Sequence, residues 1–65
     1  MKEAILEALY AKYEGQVQEA LVNTEIYLMN PCGIGEHSEI LEAIDIQISK
    51  LAEAKEKQAA LKIFV

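Results

Sequence analysis

The only proline of the chain, Pro31, lies near the middle of its 65 residues and separates two long proline-free segments. A proline disfavours the α conformation in the residue before it and has no N–H to donate, so a helix that reaches Asn30 is expected to end there. Gly33 and Gly35 follow in the same stretch and permit sharp turns. The sequence therefore predicts two helices joined by one short loop at residues 30–37.

The first helix is predicted at residues 2–29, where the strong helix formers Ala, Leu, Glu, Lys and Gln predominate. Mostly apolar residues recur there at alternating steps of four and three, the spacing of a heptad seam. The predicted seam consists of Leu6, Tyr10, Tyr13, Val17, Ala20, Thr24 and Tyr27. Leu9, Leu21 and Leu28 widen this stripe. Gly15 costs about 1 kcal/mol relative to alanine in a helix interior, so it either marks a close helix crossing or is a tolerated defect.

The second helix is predicted to begin near Ser38, with His37 or Ser38 as its N-cap, and to run to residue 63. Carboxylates populate its first two turns and lysines its second half, an order that complements the helix dipole. The predicted apolar face consists of Ile40, Leu41, Ile44, Ile48, Leu51 and Ala52. Beyond Leu51 this face becomes mixed, so the last turns are expected to pack less regularly.

A loop of this length is typical of connections between antiparallel helices. The predicted fold class is therefore all-α, with residues 1–65 forming a single domain that folds as a two-helix antiparallel hairpin. One hairpin buries one stripe of each helix, yet several apolar residues lie outside both predicted stripes. These surplus residues are Val22, Ile26, Met29, Ile46 and Phe64. They predict the interface of a homodimer in which two hairpins form a four-helix bundle. The alternative is that they are scattered and exposed, as apolar residues often are on monomers.

The chain has a net charge of −5, from eleven acidic residues and six lysines. Such a charge disfavours nucleic acid and anionic membrane surfaces as partners. The first residues lack the basic region and long apolar run of a signal peptide, and no stretch approaches the roughly 18 to 20 apolar residues of a membrane span. The single cysteine, Cys32, excludes an internal disulfide. We therefore expect a cytoplasmic protein with neither a nucleic-acid nor a membrane partner.

The loop carries residue types that helix packing does not require. Cys32, Glu36 and His37 have metal-ligand atoms, but a structural zinc site needs four ligands and one hairpin cannot supply them. Gly33 and Gly35 could bind phosphate through backbone N–H groups, but the strand and lysine of a phosphate loop are missing. Cys32 could act as a nucleophile with His37 as its base, but little of the chain remains to form a pocket. We assign no catalytic, cofactor-binding or metal residue and keep Cys32, Glu36 and His37 as positions worth testing.

Residues 26–31, Ile-Tyr-Leu-Met-Asn-Pro, followed by residues 33–37, Gly-Ile-Gly-Glu-His, resemble a segment of small uncharacterised helical proteins of marine T4-like cyanophages. The resemblance covers mainly the loop and the start of the second helix. It implies a phage-encoded accessory protein of unknown activity in the host cytoplasm, and it carries over no functional residues.

The hypothesis on function is a non-enzymatic structural or protein-interaction module that acts as a small helical oligomer. An alternative from another class is an acidic decoy or regulator that binds a basic surface of a larger protein. Its acidic residues on the first helix would be Glu3, Glu7, Glu14 and Glu19. The same glutamates could instead form a solvated face that maintains solubility. No cofactor is expected, and the expected partner is a second copy of the chain or another protein.

Overall fold

Two long helices account for most of the chain, and the computed structural model describes residues 1–29 and 37–65. Helix α1 spans Lys2–Met29, helix α2 spans His37–Leu61, and a short 3₁₀ helix follows at Lys62–Phe64. The two α-helices pack against each other, and no strand occurs in the described ranges. The prediction of an all-α hairpin is therefore confirmed.

The start of α2 lies at His37, one residue before the predicted start at Ser38. A difference of one residue is within the usual uncertainty of helix boundaries. The side chains of His37 and Ser38 lie outside what the structure describes. The predicted N-cap therefore stays a prediction.

The α1 seam has the four-and-three spacing that the sequence predicts, with Val17 and Ala20 fully buried at its centre. Its half-buried members are Leu6, Tyr13, Thr24 and Tyr27. Thr24 donates its hydroxyl hydrogen to the carbonyl oxygen of Ala20 at 2.7 Å, so its polar group is satisfied inside the helix. Tyr10 departs from the prediction because it is 48% exposed, while its neighbour Leu9 is half-buried.

Gly15 lies on the solvent-facing side of α1, where an added methyl group would meet no atom within 4 Å. It therefore does not mark a close crossing between α1 and α2. Of the two alternatives, the tolerated defect is the one that fits the hairpin.

The α2 seam differs from the predicted apolar face. The buried and half-buried residues that form it are Ile40, Ile44, Gln47, Leu51, Ala54, Gln58 and Leu61. Leu41, Ile48 and Ala52 were predicted to lie on the buried face, but all three are exposed. α2 has aliphatic residues both in the seam and directly beside it, so counting apolar residues does not determine which row faces α1. The observed rotation buries Ala54, a small residue that allows the two helices to approach closely.

Two polar pairs connect the helices within the seam. Gln47 and Gln58 are buried, with only 7% and 6% of their surface exposed. Asn23 donates from Nδ2 to Oε1 of Gln47 at 3.3 Å, and Gln58 donates from Nε2 to Oε1 of Glu14 at 2.9 Å. The earlier residue of α1, Glu14, pairs with the later residue of α2, Gln58, and Asn23 pairs with Gln47, which is the order expected of an antiparallel hairpin. A heptad shift would separate both pairs and leave buried amides without partners, so the pairs specify the register.

Candidate interaction surface

The hairpin has two flanks, one on each side of the seam, because the surface of each helix extends around its axis on both sides of the buried stripe. In an antiparallel pair, the two residues that directly follow the same heptad position in each seam lie on the same flank. Glu14 on α1 and Lys55 on α2 are such residues. The pKa of Glu14 is lowered by hydrogen bonds from Gln58 and Gln18, and further by the nearby charge of Lys55. Helical spacing thus places Glu14 and Lys55 on one flank, and the influence of the Lys55 charge on Glu14 agrees with that placement.

The flank is apolar toward the loop end of the hairpin. Steps of seven residues from Glu14 and Lys55 stay on the same side of each helix. They lead to the four residues that we call the apolar flank: Leu21 and Leu28 on α1, and Leu41 and Ile48 on α2. In the order of their numbers, these side chains are 37%, 62%, 75% and 46% exposed. Two large aliphatic side chains on each helix therefore lie beside the seam, and all four are exposed to solvent in part.

The same flank is charged toward the open end, where α1 begins and α2 ends. The step of seven in this direction leads from Glu14 to Glu7 and from Lys55 to Lys62, the first residue of the 3₁₀ helix. We call these four residues the charged end of the flank. α1 contributes only carboxylates to it, whereas Lys55 of α2 and Lys62 of the 3₁₀ helix contribute only ammonium groups.

The opposite flank is polar along its middle and forms an open groove. Its lining consists of Gln16, Glu19, Lys50, Glu53, Ala54 and Lys57. Lys57 Nζ lies 3.2 Å from Glu53 Oε1 and 5.5 Å from the centre of the Tyr13 ring. An exposed ion pair of this kind contributes at most about 1 kcal/mol. The middle of this flank is thus lined mainly by charged and polar side chains, with Lys57 paired to Glu53.

The five residues that the sequence predicts for an interface are all exposed: Val22, Ile26, Met29, Ile46 and Phe64. By helical spacing, Val22 and Met29 lie on the side of α1 that is opposite the seam. Ile26 and Ile46 lie on the side of the polar groove. Phe64 lines a hollow at the open end. These positions are spread over several sides of the hairpin, and their place in an interface stays a prediction.

Of the positions worth testing in the loop, Cys32 and Glu36 lie outside the described residues, and only the backbone of His37 is described. Metal, phosphate or nucleophile chemistry at the loop is therefore a matter for experiment. Among the side chains that the structure describes, no three His, Cys, Asp or Glu residues are grouped so that they could hold a metal ion.

The four glutamates of the decoy hypothesis do not share one face. Glu14 is half-buried and hydrogen-bonded, and Glu7 lies on the same flank two turns before it. Glu19 borders the polar groove on the other flank. The decoy stays a prediction, without a single acidic surface to support it.

Comparisons of the chain with protein families, with curated proteins and with solved structures give no match. The resemblance to cyanophage proteins therefore stays a prediction. Neither helix, over the ranges that the structure describes, has a stretch long and apolar enough to cross a membrane.

Proposed function

We propose that the protein is a non-enzymatic protein-interaction module whose working form is a homodimer of hairpins packed as a four-helix bundle. The apolar flank is the observation that carries this proposal. A helix with an apolar row beside its seam is suited to pack against two neighbours, whereas a single hairpin provides one. A second copy supplies the same row, and twofold dimers bury the same patch on both partners.

The surface area supports a partner of about the same size. The hairpin exposes 5022 Å², whereas a compact folded chain of this mass is expected to expose about 4200 Å². The difference of roughly 800 Å² is about what each partner buries in a stable protein interface of standard size.

The shape points in the same direction. The radius of gyration is 14.9 Å and the Cα atoms extend over 48 × 14 × 12 Å. A compact chain of this length is expected to have a radius of gyration of about 11 Å, and one of twice the length about 14 Å. Two hairpins packed side by side would therefore have nearly the dimensions of an ordinary globular domain.

The test compares the mass in solution of the wild type with that of two matched double variants. Leu28→Glu with Leu41→Glu introduces charge into the apolar flank. Val22→Glu with Met29→Glu makes the same change on the side of α1 opposite the seam, where the sequence predicts the interface. Sedimentation equilibrium at micromolar concentration should give a dimer for the wild type and for the Val22/Met29 variant. The Leu28/Leu41 variant should be a monomer.

Circular dichroism of the same samples separates dissociation from unfolding. A wild type that stays folded and monomeric at high concentration contradicts the proposal. If the Val22/Met29 variant is the one that becomes monomeric, self-association stands but uses the surface predicted from the sequence.

A further inference from the structure

We infer that the two hairpins of the dimer lie with their loops at the same end, each α1 against the partner's α2, and that the charged end of the flank specifies this orientation. The inference rests on the proposed dimer and adds the placement of the second copy. It follows from the order of residues along the flank.

The flank can be divided into levels along the long axis of the hairpin. Because the helices are antiparallel, a step of seven residues forward along α1 reaches the same level as a step of seven residues back along α2 and the 3₁₀ helix that follows it. Each level therefore holds one residue from either side. From the open end to the loop end, the levels are Glu7 with Lys62, Glu14 with Lys55, Leu21 with Ile48, and Leu28 with Leu41. At the open end, the flank is therefore acidic on the side of α1 and basic on the other side. At the loop end, both sides are apolar.

A twofold axis parallel to the long axis of the hairpin keeps every residue at its own level. It also exchanges left and right, so that α1 of one copy faces α2 of the other. Glu14 then faces the partner's Lys55, and Leu28 faces the partner's Leu41. Every level meets a complementary level, opposite charges at the open end and aliphatic side chains toward the loop.

The reverse orientation, with the loops at opposite ends, lacks this complementarity. A twofold axis perpendicular to the hairpin places the apolar row of each copy against the charged end of the other. Lysines and glutamates would lose water without gaining partners, which is costly. Sliding the copies until only the apolar rows overlap avoids that cost, but it leaves about half of each flank uncovered.

A charge exchange between two variants tests the orientation. One variant carries Glu7→Lys and Glu14→Lys, and the other carries Lys55→Glu and Lys62→Glu. In either homodimer, α1 and the partner's α2 then repel each other, whereas in the mixed dimer the two helices have opposite charges at both contacts. At low salt, the mixed dimer should have a dissociation constant at least about tenfold below that of either homodimer, because several exposed pairs act together. The preference should shrink in high salt.

A milder pair of variants guards against loss of the fold, because Glu14→Lys removes the hydrogen bond with Gln58. Glu7→Lys and Lys62→Glu alone leave the seam unchanged and should show the same preference at a smaller size. The two variants of each pair shift the net charge of −5 in opposite directions. Net repulsion therefore disfavours the mixed dimer relative to the homodimer of the lysine variant, so a mixed dimer tighter than both homodimers requires charge contacts between the copies.

Distances between spin labels give an independent measurement. Lys2→Cys in a Cys32→Ser background places one label per chain at the open end. With the loops at the same end, the two α1 helices lie on a diagonal of a bundle whose neighbouring axes are about 10 Å apart, so the two labels, with their linkers, should lie about 20 to 30 Å apart. With the loops at opposite ends, they should lie about 40 Å apart or more, because α1 alone is roughly 40 Å long. A dimer with labels at the longer distance, or without preference on mixing, overturns the orientation and leaves the dimer itself in place. A wild type that does not dimerise overturns both.

Discussion

The carboxylate of Glu14 on α1 accepts a hydrogen bond of 2.9 Å from the buried amide of Gln58 on α2. Its second oxygen accepts one of 2.9 Å from Gln18, a turn further along α1. These bonds, with that from Gln58 the largest contribution, favour the ionised form and lower the pKa of Glu14 below its ordinary value of 4.5. An ionised side chain at the edge of the seam therefore couples the packing of α1 and α2 to pH.

Acid should destabilise the hairpin partly through Glu14. Because its pKa is lower in the folded than in the unfolded chain, its contribution to stability is complete above the unfolded pKa and is lost as pH falls through the folded pKa. We predict that Glu14→Gln shows a smaller loss of unfolding free energy than the wild type between roughly pH 6 and pH 3. Urea unfolding at a fixed protein concentration measures the difference.

Glu42→Gln, which removes the same charge from an exposed position of α2, is the matched control for net charge. It should keep the pH dependence of the wild type. In addition, Gln58→Leu should raise the pKa of Glu14 in an NMR titration, since it removes the largest cause of the lowering. If the wild type, Glu14→Gln and Glu42→Gln showed the same dependence of unfolding free energy on pH, Glu14 would be excluded as the group that couples stability to pH.

Ala54 should tolerate no larger side chain, because it is 2% exposed in the centre of the seam. Ala54→Leu is expected to lower the free energy of unfolding by about 1 to 3 kcal/mol through overpacking. Ala60→Leu adds the same atoms at an exposed position of α2 and should stay within about 0.5 kcal/mol of the wild type. Equal effects in urea unfolding would show that the seam does not run through Ala54.

Gly15→Ala should stabilise the protein. The new methyl group meets nothing within 4 Å, and alanine is favoured over glycine in a helix interior by about 1 kcal/mol. For a chain of this size, a thermal melt should show Tm rising by about 4 to 8 °C. A lower Tm would mean that the glycine is required by a contact that the single hairpin does not contain.

Leu51 and Lys57 should differ sharply in their contribution to stability. Leu51 is a half-buried member of the α2 seam, and truncating a buried leucine typically costs about 2 to 5 kcal/mol, so Leu51→Ala is expected near the lower value. Lys57→Ala removes an exposed ion pair worth at most about 1 kcal/mol. Thermal melts that rank the two variants in the opposite order would contradict the placement of Leu51 in the seam.

The loop residues should be dispensable for folding. Cys32→Ser and His37→Ala are each expected to leave helix content and oligomeric state nearly unchanged, because losing a helix cap costs only about 1 kcal/mol. Loss of a structural zinc ligand would instead remove a contribution on the order of 10 kcal/mol, more than a small domain can lose. Circular-dichroism melts with and without a chelator separate these outcomes. Unfolding by the chelator would contradict this expectation and direct the search for a site to Cys32, Glu36 and His37.

The two helices, their boundaries to within a few residues and the buried face of α1 could be predicted from the sequence alone. These features depend on local physics, since Pro31 stops a helix whatever surrounds it. The seam of α1 from Tyr13 to Tyr27 shows in the spacing of its side chains along a single helix. A hairpin then follows because the connection between the helices is short.

The rotation of α2, and with it the candidate interaction surface, could not be predicted from the sequence. The sequence predicts Leu41 and Ile48 in the core because they are aliphatic, whereas the seam buries Gln47 and Gln58. Burial of apolar surface is non-directional, so either row of α2 satisfies it about equally well. Hydrogen bonds are directional, and the amides of Gln47 and Gln58 reach Asn23 and Glu14 at one rotation and one register. These partners lie on α1, so the pattern of residues within α2 alone does not reveal them.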